Sequence, residues 1–266
     1  MPQLDDAAGV KAHYLDEGTG PSVVVLHGGL ETADDWAFLA EALVGERRVL
    51  RPERRGHGRT PDVEGPHTYE AMAEETAALI DQVVGEPVDL VGFSDGAITA
   101  MLLALARPEL VRSMVVISGH LHHEALLPRM AERLANPDPD SPRLAPMREA
   151  YARTSPDGAD HWPSFHRKVS TMGATSPALD PAVLRAVTAP VLVVAADDDV
   201  VDLHHVVDLY EALPDGRLAI LPHTSHLLHH EAPGALVELV RRFLAGDEPP
   251  RLMPMRSTRP PDPGAA

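Results

Sequence analysis

The sequence predicts an α/β fold in which a mostly parallel central sheet is flanked by helices. Up to residue 118, short apolar runs rich in Val and Leu alternate with segments of helical spacing, and this alternation resumes at residue 190. Residues 119–187 carry no strand pattern, which predicts a helical lid inserted after the sixth strand. The predicted organisation is a core of residues 1–118 and 188–246, that lid, and a Pro-rich disordered tail at 247–266.

Composition limits the classes of protein to consider. The chain has 266 residues, 44% of them hydrophobic, which is enough for one α/β domain with a large insertion. Its formal net charge of -17 argues against nucleic acid and anionic membrane surfaces as partners, because both would repel it. The absence of cysteine excludes disulfides, thiolate metal sites and a cysteine nucleophile. The acidic start, Met1 to Asp6, predicts neither a signal peptide nor a membrane span, so we expect a cytoplasmic protein.

The first third of the chain contains three predicted strands and two predicted helices. Strands at 10–15 and 22–26 enclose a Gly-rich loop, and we expect them to form an opening hairpin. Apolar residues at helical spacing predict a helix over 36–43, capped by Thr32 or Asp34. The remaining elements are a strand at 47–51, a polar loop at 52–61 and a helix at 68–84.

The stretch from Val88 to Ala106 has the pattern of a strand, a sharp turn and a helix. The turn, Gly92-Phe93-Ser94-Asp95-Gly96, has the form G-x-S-x-G, in which small residues let the helix pass close to the strand. Ser94 would then be exposed at the N-terminus of the helix, where backbone N–H groups attract developing negative charge. Ser94 is therefore the candidate nucleophile, although the same pattern also fits a simple strand-to-helix turn.

Two further loops are rich in glycine or arginine. His27-Gly28-Gly29 directly follows a predicted strand and can hold a backbone N–H in the direction that an oxyanion hole needs, or it can be another Gly-rich turn. The arginines of the loop at 52–61 could bind phosphate. Because no phosphate-binding motif surrounds them, a solvated or structural loop is the favoured interpretation.

The predicted lid carries large apolar side chains between many prolines. We expect these side chains to face a substrate, and packing in a core is the rival interpretation. They are Leu126, Leu127, Met130, Leu134, Met147, Tyr151, Trp162, Phe165 and Met172.

The last third of the chain returns to the α/β pattern. A predicted strand at 190–195 precedes three consecutive aspartates, Asp197 to Asp199. A helix at 204–213 and a strand at 217–221 follow, and then a loop that ends at His226. The closing helix is predicted at 231–245.

A serine hydroxyl needs a base within hydrogen-bond reach, and that base needs a carboxylate to orient it. Ser94, the aspartates and His226 each follow a predicted strand, so we expect them at the edge where ligands bind in open α/β sheets. Their order along the chain, serine, aspartate, histidine, is typical of one of the three known arrangements of such residues.

The chain resembles the α/β-hydrolase-fold serine hydrolases of the esterase type. The resemblance rests on four features in order: His27-Gly28-Gly29, the loop Arg55 to Thr60, the Gly92–Gly96 turn, and His226 with Glu231 and Pro233 after it. It implies that Ser94 is the nucleophile, that His226 is the general base, and that the Gly29 and Asp95 N–H groups are the oxyanion donors. Counting from Ala196 selects Asp199 as the acid over Asp198 and Asp197.

Four positions depart from the family pattern. Ala196 and Ser225 stand where the family usually has glycine, and Glu53 and Thr60 replace the commoner Asp and Ser. The first two departures affect the turns that carry the acid and the histidine. Because three aspartates stand in a row, the choice of Asp199 as the acid depends most on the geometry of these turns.

The predicted activity is hydrolysis of a small carboxylic ester through an acyl-enzyme, without a cofactor or metal. Alternatives on the same fold are a receptor-like protein with little turnover, an acyltransferase and a cofactor-free perhydrolase. Two histidine groups, His120 with His122 and His123 or His226 with His229 and His230, could bind a metal, but neither has an H-E-x-x-H pattern. Candidate substrate-binding residues are Leu30, Asp95, His120, Trp162 and Phe165.

The elbow also resembles that of the biphenyl-hydrolase-like, valacyclovirase group, whose members hydrolyse esters with an amine in the acyl part. A carboxylate at Asp95 could attract such an amine. In the favoured interpretation, only the backbone N–H of Asp95 matters and its side chain faces water.

Overall fold

The structure is a mostly parallel sheet flanked by helices, as the sequence predicts, and the sheet has eight strands. The computed structural model describes residues 3–246 and 252–253. The strand order is β1-β2-β4-β3-β5-β6-β7-β8, and β3 to β8 all run parallel to one another. The strands are β1 (Gln3–Ala7), β2 (Val10–Gly18), β3 (Ser22–Leu26), β4 (Arg48–Pro52), β5 (Val88–Phe93), β6 (Val111–Ile117), β7 (Val191–Asp198) and β8 (Gly216–Ser225).

Nine α-helices lie among the described residues. Shorter 3₁₀ turns connect several of them, and a π-helical turn, Ile80–Val84, extends the second helix to Gly85. The helices are α1 (Ala37–Leu43), α2 (Tyr69–Leu79), α3 (Asp95–Ala106), α4 (Pro128–Ala135), α5 (Ala145–Thr154), α6 (Trp162–Thr175), α7 (Leu203–Ala212), α8 (Leu228–Glu231) and α9 (Pro233–Ala245). Within the described residues, none of the helices has both the length and the apolar character needed to cross a bilayer.

The predicted opening hairpin between 10–15 and 22–26 is wrong. β2 pairs with β1 and β4, both antiparallel, whereas β3 lies between β4 and β5 in the parallel part of the sheet. The hairpin partner of β2 is instead β1, across a tight turn in which Ala8 has φ 51° and Gly9 has φ 89°. Two successive positive φ values are the geometry of a two-residue hairpin turn, and the mixed composition of Gln3–Ala7 gave no strand pattern.

Both faces of the sheet are buried, which explains why the central strands are apolar without a break. In β3, Val23 and Val25 point to the face covered by α1 and α9, and Val24 and Leu26 point to the face covered by α2 and α3. The residue types that the periodicity assigns to the core therefore form two layers, one on each side of the sheet.

The segment between β6 and β7, which we name the helical insert (residues 119–187), contains α4, α5 and α6 and no described strand. Two isolated β-bridges hold its backbone: His122 pairs with Ala178 inside the insert, and Leu126 pairs with Val201 outside it. Of the predicted tail at 247–266, only 252 and 253 are among the described residues, and the rest lies outside them.

Candidate active site

Ser94 stands at a strained turn between β5 and α3. Its backbone has φ 50° and ψ -116°, a conformation that side-chain-bearing residues rarely adopt. The turn is possible because both flanking glycines lie against backbone: a Cβ at Gly92 would overlap the Gly96 carbonyl, and one at Gly96 would overlap the Leu26 carbonyl. The Ser94 N–H donates to the Ile117 carbonyl at 2.8 Å, which ties the turn to β6. The G-x-S-x-G pattern is thus a strand-to-helix elbow with its serine at the apex.

A chain of hydrogen bonds connects Ser94, His226 and Asp199. Nε2 of His226 lies 3.2 Å from the Ser94 Oγ, and Nδ1 lies 2.7 Å from Oδ1 of Asp199. The three residues follow β5, β8 and β7, so the carboxyl edge of the parallel sheet brings together side chains that are up to 132 positions apart. The sequence predicted this meeting.

Asp199 is held by more than the histidine. Its Oδ2 accepts a hydrogen bond from the Ser118 hydroxyl at 2.6 Å, and its Oδ1 accepts one from the Val200 N–H at 2.7 Å. Burial alone would raise the pKa of the Asp199 carboxyl, but the hydrogen bond and charge of His226 and the bond from Ser118 hold it below its ordinary value. The carboxylate is therefore kept ionised and fixed beside Nδ1.

The neighbouring aspartates have different surroundings. Asp197 accepts hydrogen bonds from the backbone N–H groups of His223 and Thr224, at 2.9 and 3.0 Å, and so holds the turn within β8. Asp198 is exposed. The structure thus places Asp199, as predicted, against His226, and it places Asp197 at a backbone turn.

The two predicted oxyanion donors lie beside the elbow. Asp95 is the first residue of α3, where a backbone N–H has no carbonyl one turn earlier in the helix to accept it. Gly29 lies so close that a Cβ there would stand 2.6 Å from Oδ2 of Asp95. The Gly29 and Asp95 N–H groups make no hydrogen bond with any of the residues that the structure describes.

Glu31, which the sequence analysis did not single out, supports the Gly28–Gly29 loop from behind. Its Oε2 accepts the Gly28 N–H at 2.8 Å and the Trp36 Nε1–H at 3.1 Å, and its Oε1 lies 3.1 Å from Nε2 of His229. Burial would raise the pKa of Glu31, but His229 and these hydrogen bonds hold it below its ordinary value. The buried carboxylate joins the loop after β3 to the helix that follows His226.

The Asp95 side chain is half-buried and bound to a protein group, whereas the interpretation favoured from sequence has it facing water. Its Oδ1 accepts a hydrogen bond from the Tyr69 hydroxyl at 2.9 Å. Burial raises the pKa of the Asp95 carboxyl, and the nearby Arg54 guanidinium and the Tyr69 hydroxyl offset only part of that rise. The carboxyl is thus partly shielded from solvent and hydrogen-bonded to the Tyr69 hydroxyl.

Ser94 and His226 open into a cavity of about 370 Å³ that the helical insert helps to form. Of the predicted substrate-binding residues, Leu30, Asp95 and His120 line it.

The other two predicted substrate-binding residues, Trp162 and Phe165, do not line this cavity. They pack with Tyr151 in a small cluster of the insert, where the Trp162 Nε1–H donates to the Pro139 carbonyl. The rival interpretation of those two side chains, core packing, is therefore correct. The apolar lining comes instead from Leu126, Met130, Leu134, Leu144, Met147, Val169, Val200 and Val201.

His120 is a buried wall residue of this cavity. Neither of its ring nitrogens has a hydrogen-bond partner among the described residues. Burial, together with the charges of His205 and His226, lowers its pKa to about 3. A neutral imidazole with two unpaired nitrogens thus forms part of the wall of the cavity that contains Ser94.

The arginine loop is structural. The Arg54 guanidinium is buried and donates to the Gly28 carbonyl at 3.0 Å. Arg55 pairs with Glu75 and Arg59 with Glu53, both carboxylates being buried. Because these guanidinium groups bind groups of the protein itself, the phosphate-binding alternative has no support here.

One group of potential metal ligands occurs within the described residues: Glu31, His229 and His230, with ligand atoms within 4.8 Å of one another. Neither predicted histidine set forms such a group there. Glu31 already accepts two N–H groups and lies beside a third, so its oxygens are engaged in holding the loop. The residues therefore fit a structural role better than a metal centre.

Comparison with known proteins identifies the family. The model of the alpha/beta hydrolase family matches residues 23–239. Mouse sn-1-specific diacylglycerol lipase ABHD11 is 41% identical over 103 residues, 38% of this chain but only 33% of that protein. Pyrrolizixenacetamide deacetylase of Xenorhabdus hominickii is 26% identical over 89% of this chain and 96% of its own length. The enol-lactonase of Burkholderia xenovorans LB400 has the same fold, with a TM-score of 0.75 at 20% identity over 92% of this chain and all of that one. The chain belongs to the alpha/beta hydrolase family.

Proposed function

We propose that the protein is a serine hydrolase that cleaves a small carboxylic ester through an acyl-enzyme. The observation that carries the proposal is the hydrogen-bonded chain from Ser94 through His226 to Asp199, which opens into a largely apolar cavity. A hydroxyl, an imidazole and a carboxylate in this order are the parts needed to activate an alcohol at neutral pH. The named relatives support it, since a lipase, a deacetylase and a lactonase all act on acyl bonds.

In the first half of the proposed reaction, the Ser94 Oγ attacks the substrate carbonyl while Nε2 of His226 takes the hydroxyl proton. Asp199 fixes the proton of the neutral ring on Nδ1 and stabilises the imidazolium that forms. The Gly29 and Asp95 N–H groups hold the oxyanion, and the dipole of α3 adds to their effect. His226 then gives its proton to the leaving alcohol, which departs as the acyl-enzyme forms.

In the second half, water replaces the alcohol. Nε2 of His226 removes a proton from the water, which attacks the acyl carbon of the Ser94 ester. The tetrahedral intermediate collapses, the proton returns to the Ser94 Oγ, and a carboxylic acid is released. No metal or cofactor is needed for either half.

The helical insert is proposed to act as the lid of this site. Met130, Leu134 and Met147 from the insert line the same cavity as Ser94, so they would contact the acyl or alcohol part of a bound ester. Closing an apolar lid over the serine would exclude bulk water and strengthen the electrostatic interactions around the carbonyl.

A screen of short-chain p-nitrophenyl esters, amino-acid esters and lactones tests the proposal. The expected result is turnover of at least one class, with a covalent acyl adduct on Ser94 detected by mass spectrometry after rapid quenching. Product analysis with added alcohol or peroxide separates hydrolysis from acyl transfer and from perhydrolysis. Saturable binding without turnover or adduct would favour the receptor-like alternative and contradict the proposal.

A further inference from the structure

The outer part of the cavity carries positive charge in a chain whose net charge is -17. Arg133 on α4 and Arg143, in the 3₁₀ turn Pro142–Leu144, both line the cavity that contains Ser94. Both arginines are exposed, whereas Ser94 is half-buried, which places the guanidinium groups toward the solvent side. Arg129 lies one helical turn from Arg133 on the same helix. The positive charges of Arg129 and Arg143 both act on the Arg133 guanidinium.

These arginines are not neutralised by neighbouring acids. Within residues 3–246, neither Arg133 nor Arg143 has a carboxylate oxygen within 4.0 Å, whereas Arg148 in the same insert has Asp140 at 3.9 Å. Asp138 also lines the cavity and accepts the Asp140 N–H at 3.1 Å, but it makes no ion pair with either arginine. Two free cations and one acid therefore face this part of the cavity.

A second observation at the same cavity points to a ligand. His166 on α6 lines the cavity and is only 5% exposed, yet its Nδ1 has no hydrogen-bond partner within the described part of the chain. Nδ1 is shielded, so Nε2, which also has no hydrogen-bond partner among the described residues, is the ring nitrogen that a bound group could contact. Asn136 and Ser141 add further polar side chains to the same part of the lining.

We infer that the substrate carries an anionic group, a carboxylate or a phosphate, joined by an apolar chain to the acyl carbonyl. Arg133 and Arg143 would bind the anion, and His166 would donate to it or to a polar atom near it. The apolar side chains of Leu134, Leu144 and Met147 would contact the chain between the two ends. The inference rests on the proposed function, because it takes the carbonyl to lie at Ser94.

Matched esters test the inference. Mono-p-nitrophenyl succinate, glutarate and adipate differ from the butyrate, pentanoate and hexanoate esters mainly by a carboxylate in place of a methyl group. The p-nitrophenyl ester of 3-phosphonopropanoic acid tests a phosphate-like end. At low ionic strength we expect kcat/KM for at least one anion-ended ester to exceed that of its methyl-ended partner by about tenfold, the combined effect of two partly exposed charge pairs. A preference for the carboxylate-ended or for the phosphonate-ended ester shows which of the two anions the site binds.

The double variant Arg133→Gln/Arg143→Gln should bring that ratio to within about twofold, chiefly by lowering kcat/KM for the anion-ended ester. Arg153→Gln is the matched control, because Arg153 is an exposed arginine of the insert that does not line the cavity. The preference should also fall in 0.5 M NaCl, since salt screens exposed charges. Equal kcat/KM for every matched pair, or a preference that the double variant retains, would overturn the inference while hydrolysis itself stands.

A binding measurement keeps the inference testable if no ester is turned over. Titration calorimetry of the Ser94→Ala variant with succinate, glutarate, adipate and 3-phosphonopropanoate should detect binding of at least one anion. That binding should weaken about tenfold when Arg133 and Arg143 are also replaced. No binding, or equal binding with and without the two arginines, contradicts the anionic subsite independently of the reaction.

Discussion

The Oε2 atom of Glu31 accepts a hydrogen bond from the backbone N–H of Gly28 at 2.8 Å. The bond fixes the His27–Gly28 peptide, one peptide before the Gly29 N–H that is a proposed oxyanion donor. The same carboxylate lies beside His229, three residues after His226. One buried side chain thus contacts both the Gly28–Gly29 loop and α8, the helix that follows His226.

Replacing Glu31 with Gln should lower kcat more than it changes KM. The amide would keep one acceptor oxygen but place an NH₂ against a donor, which misaligns the Gly29 N–H mainly in the transition state. We expect kcat to fall about 10- to 100-fold with KM within about twofold. Steady-state kinetics with a p-nitrophenyl ester, together with an unchanged circular dichroism spectrum, checks this. Equal losses in a variant such as Trp36→Phe would assign Glu31 a purely structural role.

The two aspartates that begin and end the 197–199 run should respond oppositely to amide substitution. Asp199→Asn should lower kcat by about 10³- to 10⁴-fold, because the amide cannot stabilise the imidazolium and favours the wrong tautomer of His226. Asp197→Asn should leave kcat within about twofold, since an amide oxygen can still accept from the turn at His223. Kinetics of both purified variants decides, and the opposite ranking would mean that the wrong carboxylate has been assigned.

Esters with an α-amino group should gain no advantage from Asp95. The carboxyl is already hydrogen-bonded by Tyr69, and the charge of Arg54 acts on it, so little attraction remains for an ammonium. We expect kcat/KM for the p-nitrophenyl ester of valine to lie within about threefold of that for its des-amino analogue, the isovalerate ester. A large preference for the amino ester, lost in Asp95→Asn, would reverse this assignment.

Stability should fall on mild acidification, and His120 should contribute to the fall. The pKa of its folded state, about 3, lies below the ordinary value of 6.5, so between these values the unfolded chain binds a proton that the folded chain does not. The free energy of unfolding should therefore decrease as pH drops from 7 toward 4, by at most about 1.4 kcal/mol per pH unit from this group.

Urea denaturation of wild type and His120→Gln at pH 7, 6 and 5 measures that contribution. The variant should lose less stability on acidification than wild type. Identical slopes for the two proteins would contradict the assignment to His120.

Features encoded in short contiguous patterns could be predicted from the sequence. The elbow at Ser94 follows from two glycines at fixed spacing, and Asp199 and His226 follow from their positions just after strands of a parallel sheet. The helical character of residues 119–187 follows from the loss of strand patterning. These predictions needed only local backbone geometry and the rule that parallel strands end at one edge.

Features that depend on distant contacts could not be predicted in this way. Ser118 and Tyr69 reach Asp199 and Asp95 only through the fold, and nothing in their flanking residues distinguishes them from other polar residues. Trp162 and Phe165 illustrate the converse: a large apolar side chain in an insert fits a cavity wall or a local core equally well in sequence. In the structure, both side chains pack with Tyr151 in a local core.

The most direct test of the central claim is covalent labelling of Ser94 compared with turnover. Wild type treated with a fluorophosphonate probe should be modified on a peptide containing Ser94 and should lose ester hydrolysis in proportion. Ser94→Ala should be unlabelled and should retain no more than about a thousandth of wild-type kcat, with His226→Ala similarly impaired. Full turnover by the Ser94→Ala variant, or labelling at another residue that abolishes activity, would contradict the account.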